Sequence, residues 1–95
     1  MKLLSVKPSP TKTKKYVATF KLDNGKEKKV SFGAKGYTDY TLSKDDARKE
    51  RYLNRHRARE NWNDPLTPGA LSRWILWNKK TLKSSIADFK KRFKL

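Results

Sequence analysis

Cysteine is absent from this 95-residue chain, histidine occurs once, and acidic residues number only nine. Without cysteine the chain cannot form disulfides or the thiolate zinc sites of many small domains. No run of 18 apolar residues exists, so the sequence predicts no membrane-spanning helix. These absences argue against disulfide-stabilised, zinc-stabilised and membrane-spanning proteins, and we expect neither a metal nor another cofactor.

Positive charge is abundant instead. Lysine and arginine supply 25 residues, and the net charge is +16. Because like charges in a small fold repel one another, a polyanionic or acidic partner is the simplest reason for this imbalance. Nucleic acid, an acidic protein surface and an anionic membrane face are the candidate partners. The alternative is a domain that carries excess lysine for solubility.

Catalytic residues are hard to find in the sequence. His56 lies between Arg55 and Arg57, which disfavour its protonated form and repel a metal cation. Ser84 and Ser85 have no partner base at a recognisable spacing, and Gly33–Gly36 lacks the full pattern of a phosphate-binding loop. The sequence therefore predicts a non-enzymatic protein with no small-molecule substrate.

The chain divides into an N-terminal arm and one domain. Residues 1–15 contain five lysines, no acid and two prolines, which predicts a flexible basic arm that stays solvated or becomes ordered along an anionic partner. Its few apolar residues could anchor it to the edge of a hairpin or to a neighbouring chain. Residues 16–95 predict a single α+β domain, in which a β-hairpin packs against about three short helices.

Residues 16–32 alternate between apolar and polar side chains, as in a half-buried hairpin. A two-residue turn would place the apolar rows of the two strands on opposite faces. A three-residue loop over Asp23–Gly25 pairs Tyr16 with Phe32 and brings both rows together. We therefore predict a type I turn with Gly25 in the left-handed conformation.

Three helices are predicted after the hairpin, over residues 43–60, 68–78 and 84–94. Ser43 caps the first, Thr67 caps the second with Pro68 in its first turn, and Ser84–Ser85 cap the third. The predicted core joins the hairpin to the last two helices through Tyr16, Ala18, Phe20, Val30, Phe32, Leu71, Trp74, Ile75, Ile86 and Phe89.

Candidate binding residues for an anionic partner come from the arm, one face of the first helix, and the last helix. They are Lys7, Lys12, Lys14, Lys15, Lys44, Arg48, Arg51, Arg55, Arg59, Lys90, Lys91 and Arg92. The five in the first helix fall within an arc of about 80°. A solvated face is the alternative, although like charges at this spacing destabilise an isolated helix.

Four aromatic residues are candidates for docking or for stacking on bases: Tyr37, Tyr40, Trp62 and Trp77. The two tyrosines flank Asp39, and together with Trp62 and His56 they predict a compact cluster. Such a cluster fits either a docking surface or a polar part of the core, and both interpretations stay open.

Several stretches of the chain resemble a family of small basic proteins encoded by large nucleocytoplasmic DNA viruses of protists and algae. The stretches are Val30–Thr41, Arg51–Arg57, Glu60–Trp62 and Leu71–Asn78. The resemblance implies a viral protein and a virion component, and it supplies no catalytic residue.

Charge and resemblance together lead to two hypotheses. The first is a non-enzymatic structural protein of a large DNA virus, a minor capsid or virion-associated protein that bridges acidic capsid proteins. It would be located in the virion and, during assembly, inside the host cell. The second is a sequence-independent nucleic-acid-binding or genome-condensing protein.

Overall fold

The computed structural model describes residues 1–95 as a three-stranded antiparallel sheet followed by short helices. The strands are β1 (Lys2–Pro8), β2 (Lys14–Lys21) and β3 (Glu27–Ala34), in that order across the sheet. The helices are α1 (Tyr40–Ser43), α2 (Asp46–His56), α3 (Pro68–Leu71), continued by a π-helical turn over Ser72–Leu76, and α4 (Leu82–Phe93). The predicted α+β class is confirmed. None of these helices has the length and apolar character needed to cross a membrane.

The β2–β3 hairpin has the predicted register. Tyr16 pairs with Phe32 and Ala18 with Val30. The Leu22 amide donates to the Lys26 carbonyl, which closes a three-residue loop over Asp23–Gly25. Gly25 has a φ of +84°, a conformation that suits glycine because it has no Cβ. The loop and register predictions are therefore confirmed.

The prediction of a flexible arm over residues 1–15 is wrong for most of its length. Residues Lys2–Pro8 form β1 along the free edge of β2, with Leu3 opposite Phe20 and Pro8 opposite Tyr16. A bulge at Leu4 keeps Leu3 on the buried face while Leu4 itself is exposed. Backbone pairing with β2 offsets the low apolar content on which the arm prediction relied. The first strand is therefore part of the domain, as one alternative for anchoring the arm had allowed.

The predicted first helix, residues 43–60, is shorter than expected and has a different cap. Ser43 ends α1, and Lys44 takes a left-handed φ of 52°, so a helix cannot run through this point. Helix α2 begins one residue after Asp45, whose carboxylate accepts from the amides of Ala47 and Arg48. Ser43 as the cap is therefore a wrong prediction.

The other two predicted helices have the right positions and altered ends. Thr67 caps α3 and Pro68 lies in its first turn, as predicted, but the regular α-helix gives way to the π turn after Leu71. Helix α4 begins at Leu82 and is capped by Thr81, whose hydroxyl accepts from the Ser84 amide. The predicted caps Ser84–Ser85 are thus wrong, because both lie inside the helix.

One hydrophobic cluster joins the sheet to α3, the π turn and α4. Its members are Leu3, Ala18, Phe20, Val30, Phe32, Leu71, Ile75, Leu76 and Phe89. Most of the predicted core is therefore confirmed. Three of the predicted core residues, Tyr16, Trp74 and Ile86, are only half-buried and pack against the border of this cluster.

Candidate functional site

A cleft of about 750 Å³ lies between the end of the sheet and helices α2 and α3. We call it the basic cleft. Five of its lining side chains are lysine or arginine, and Glu60 is its one acid. The cationic and aromatic lining residues are Lys14, Lys15, Arg48, Arg51, Arg55, His56, Tyr37, Tyr52 and Trp77.

Helix α2 supplies the most basic wall. Arg48, Arg51 and Arg55 recur at i, i+3 and i+7, so they share one face and extend over about 10 Å of the helix axis. All three side chains are exposed. The nearest carboxylate to any of them is that of Asp45, 3.9 Å from Arg48 Nε. This part of the predicted basic stripe therefore faces the cleft and is largely free to bind an anion.

The opposite wall comes from the start of β2 and from the segment after β3. Lys14 is exposed, whereas Lys15 donates to the Asp39 carboxylate at 2.6 Å. Asp39 is almost completely buried, and it also accepts from the amides of Thr41 and Leu42 at the start of α1. The Lys15–Asp39 pair thus fixes this wall and leaves Lys14 as its free cation.

Three rings stack along the inner surface of the cleft. Tyr52 lies between His56 and Trp77. The centroids of the His56 and Trp77 rings are each 4.4 Å from the centroid of the Tyr52 ring. The Tyr52 and Trp77 planes differ by only 6°. Tyr52 is buried, and His56 and Trp77 are half-buried, so part of this aromatic surface faces the cleft.

Burial, reinforced by the Glu60 charge, raises the pKa of Tyr52 to about 12. An exposed tyrosine in the unfolded chain has a pKa of about 10. The folded state therefore keeps the phenol neutral where the unfolded chain ionises. This contribution to stability is complete below about pH 10 and is lost as the pH rises through about 12.

We therefore expect wild type to lose about 2–3 kcal/mol more stability than Tyr52→Phe between about pH 9 and pH 12. Urea titrations of both proteins at the two pH values measure this difference. Lysine deprotonation affects both proteins equally and cancels in the comparison. An equal loss in the two proteins would show that Tyr52 ionises as readily in the folded state as in the unfolded chain.

Glu60 lines the cleft close to the start of α3. Its Oε1 is 3.8 Å from His56 Nδ1. The carboxylate also approaches Gly69 so closely that a Cβ at this position would lie 1.8 Å from Oε2. Glycine is therefore required at position 69 for Glu60 to keep this place.

Most of the other predicted binding residues lie outside the cleft. Lys44 donates to the carbonyls of Thr41 and Lys80 and is not on α2, and Arg59 follows the end of that helix. The remaining predicted cations are all exposed at other parts of the surface: Lys7, Lys12, Lys90, Lys91 and Arg92. The structure therefore brings together Lys14, Lys15, Arg48, Arg51 and Arg55 from the predicted set and separates the rest.

The four aromatic residues predicted for docking do not lie on one surface either. Tyr37 and Trp77 line the cleft. Tyr40 is buried and its hydroxyl donates to the Asp46 carboxylate, so it is a packing residue. Trp62 lies elsewhere, within 5.4 Å of the Arg73 guanidinium. The predicted cluster of Tyr37, Tyr40, Trp62 and His56 is therefore not one surface.

Arg73 organises a second aromatic cluster away from the cleft. Its guanidinium lies 4.2 Å from the Trp74 ring, and Arg92 lies 3.9 Å from the same ring. Burial and the nearby charge of Arg92 lower the pKa of Arg73. The Trp74 indole donates to the Trp62 carbonyl at 2.8 Å. These contacts attach the 57–67 segment to the π turn and α4, so the cluster has a structural role.

Sequence reasoning missed three residues of the site: Asp39, Tyr52 and Glu60. The pattern Asp39-Tyr-Thr-Leu is a recognisable helix cap. Tyr52 and His56 have the i, i+4 spacing of neighbours on a helix face. No local signal indicates the place of Glu60, because it depends on the contact with Gly69 across the fold.

The structure places no three histidine or acidic side chains close enough together to hold a metal ion. Comparison with curated proteins and with solved structures gives no significant match. One protein-family model, described as a family of unknown function (DUF5754), matches residues 4–56. The match covers β2, β3, α1, α2 and most of β1, and so includes both basic walls of the cleft. With more than half of its length matched, the chain belongs to this DUF5754 family.

Proposed function

We propose that the protein is a non-enzymatic nucleic-acid-binding protein that holds the phosphate backbone in the basic cleft. The observation that carries this proposal is the convergence of Lys14, Arg48, Arg51 and Arg55 on one concave surface. These cations come from β2 and α2, and the Lys15–Asp39 ion pair fixes one wall of the cleft. Because a strand and a helix that are already folded carry these cations, binding does not have to order the backbone.

The aromatic rings of the cleft favour nucleic acid over an acidic protein. Arginine presents a planar fork of donors that matches phosphate as well as carboxylate, so the arginines alone do not decide the question. The half-buried rings of His56 and Trp77, which stack on the two sides of Tyr52, lie beside them and suit the flat faces of bases. Cations next to aromatic rings are the usual combination for a phosphate backbone with bases attached.

The lining of the cleft favours binding that does not depend on sequence. Asparagine and glutamine, whose amides read adenine edges, do not occur among the lining residues. Contacts to phosphates fix the position of a nucleic acid and carry no sequence information. We therefore expect similar affinities for oligonucleotides of different sequence and a steep dependence on salt.

Exchange of Arg51 and Arg55 for alanine should weaken binding by about tenfold or more for each phosphate that the variant no longer binds. The slope of log affinity against log salt should fall by about 0.7–0.9 for each such phosphate. Fluorescence anisotropy with a labelled random-sequence oligonucleotide, titrated over a range of salt, measures both quantities. Both arginines are exposed, so the fold should be unaffected.

The matched control is Lys21→Ala with Lys29→Ala, which removes the same charge from exposed positions on β2 and β3 outside the cleft. This control should change affinity and salt slope much less than the arginine pair. Equal effects of the two pairs would overturn the proposal, since net charge alone would then explain binding. Displacement by polyglutamate as effective as by oligonucleotide would assign the cleft to an acidic protein instead.

The hypothesis of a minor capsid or virion-associated protein that bridges acidic capsid surfaces stays a prediction. It shares one requirement with the proposal, a cationic surface free of acidic partners. Mass spectrometry of purified virions would test it, and it would fail if the protein were expressed normally but absent from the particles.

A further inference from the structure

The side chain of Tyr37 is 74 % exposed, although it is a large aromatic residue. Only two other large hydrophobic side chains, Leu4 and Leu42, are comparably exposed, and neither lines the basic cleft. Tyr37 does line it. An exposed ring beside a cationic cleft has no packing role in the fold, and it is available to a ligand.

The segment that carries Tyr37 is held at both ends. The Tyr37 amide donates to the Ala34 carbonyl at 3.3 Å, and Gly33 and Gly36 take positive φ values of 79° and 90°. Two residues later, Asp39 is buried in its ion pair with Lys15. The tyrosine ring is thus presented from a short anchored turn, which limits the conformational freedom that a ligand must remove when it stacks on the ring.

The cleft can use its aromatic surface only with unpaired bases. In a duplex each base face is covered by its neighbours, and a protein meets base edges and phosphates instead. A single strand offers free base faces, which stack on aromatic side chains with little regard to sequence. Tyr37 and the three arginines of α2 line the same cleft, so a strand whose phosphates contact the arginines can also place a base on the tyrosine ring.

We propose that the basic cleft is a single-strand site, in which an unpaired base stacks on Tyr37 while Arg48, Arg51 and Arg55 contact the adjoining phosphates. This inference rests on the proposed nucleic-acid-binding function and adds the class of nucleic acid. It also gives a role to Tyr37, which contributes little to the core of the protein.

The test compares one oligonucleotide as a single strand and as a blunt duplex, at about 0.15 M salt, where exposed charges are already well screened. Tyr37→Ala should weaken single-strand binding by about 5- to 150-fold and duplex binding much less, because a duplex offers no free base face to the ring. Tyr37→Phe keeps the ring and should bind the single strand nearly as wild type does. Leu42→Ala is the matched control, since Leu42 is 67 % exposed and lies outside the cleft.

Two results would overturn the inference while leaving the proposed function in place. One is equal affinity for single strand and duplex, and the other is a decrease of single-strand affinity in Tyr37→Ala no larger than in Leu42→Ala. If wild type bound neither nucleic acid, or if the Arg51 and Arg55 exchanges had no effect on either, the proposed function itself would fail. The arginine pair therefore tests the binding site and Tyr37 tests its selectivity.

Discussion

A protein that lacks Lys2–Pro8 should no longer be folded at 25 °C, and it should show no cooperative unfolding transition on heating. The deletion takes away the whole β1–β2 ladder and the buried Leu3 side chain. It also uncovers the edge of β2 beside Phe20 and Ala18, which are fully buried in the intact protein. The hairpin that is left depends on its packing against the helices alone, because two strands by themselves are only marginally stable in water. Circular dichroism during a thermal scan of the truncated protein measures the effect.

Two point variants in the first strand test whether the truncation acts through the loss of buried contacts or only through the shorter chain. Leu3→Ala should cost at least about 2 kcal/mol, as expected for a buried leucine. Leu4→Ala makes the same chemical change at the neighbouring bulge position, which is 46 % exposed, and should cost less than about 0.5 kcal/mol. Equal stabilities of the two variants, together with a truncated protein that melts like wild type, would restore the flexible arm predicted from the sequence.

Exchange of Asp39 for alanine should cost about 3 kcal/mol, a large share of the 5–15 kcal/mol typical of a domain. Asp39 is buried, and its carboxylate both pairs with Lys15 and caps α1. Without it, the Lys15 ammonium, whose side chain is only 12 % exposed, has no counterion in this wall of the cleft. Urea unfolding monitored by tryptophan fluorescence measures the decrease in stability.

Three further variants separate the contributions of the helix cap and the ion pair to that decrease. Asp45→Ala removes the cap of α2, where the side chain is 46 % exposed, and should cost only about 1 kcal/mol. Asp39→Asn keeps a side-chain oxygen for capping and removes the charge, so its cost reports the ion pair. Lys15→Met added to Asp39→Asn should then recover part of the stability. A cost for Asp39→Ala no larger than for Asp45→Ala would mean that the ion pair contributes nothing.

The elements that could be predicted are those with strong local signals. The hairpin register follows from alternation and from the three residues between its strands, all within a short stretch of chain. The cap at Thr67 and the following Pro68 are likewise local. The first strand could not be assigned in this way, because Lys2–Pro8 has weak alternation and its pairing with β2 is what makes it a strand.

Only the part of the candidate site that has a local sequence signal could be predicted. Helical spacing alone places Arg48, Arg51 and Arg55 on one face, and the structure keeps them together. The predicted stripe failed at Lys44 and Arg59, because α2 is shorter than the charge pattern suggested. The partners of these arginines across the cleft, Lys14 and Tyr37, come from separate parts of the chain.

By itself, the sequence determined the excess of positive charge, the α+β class, the hairpin and the basic face of α2. Each of these depends on composition or on residues close together in the chain. The tertiary structure decided that β1 completes the sheet, that Tyr52 lies between His56 and Trp77, and that Asp39 neutralises Lys15. It also decided which few of the 25 cations share a concave surface. These features join residues distant in sequence, and their free energy comes from burial and pairing that exist only once the chain has folded.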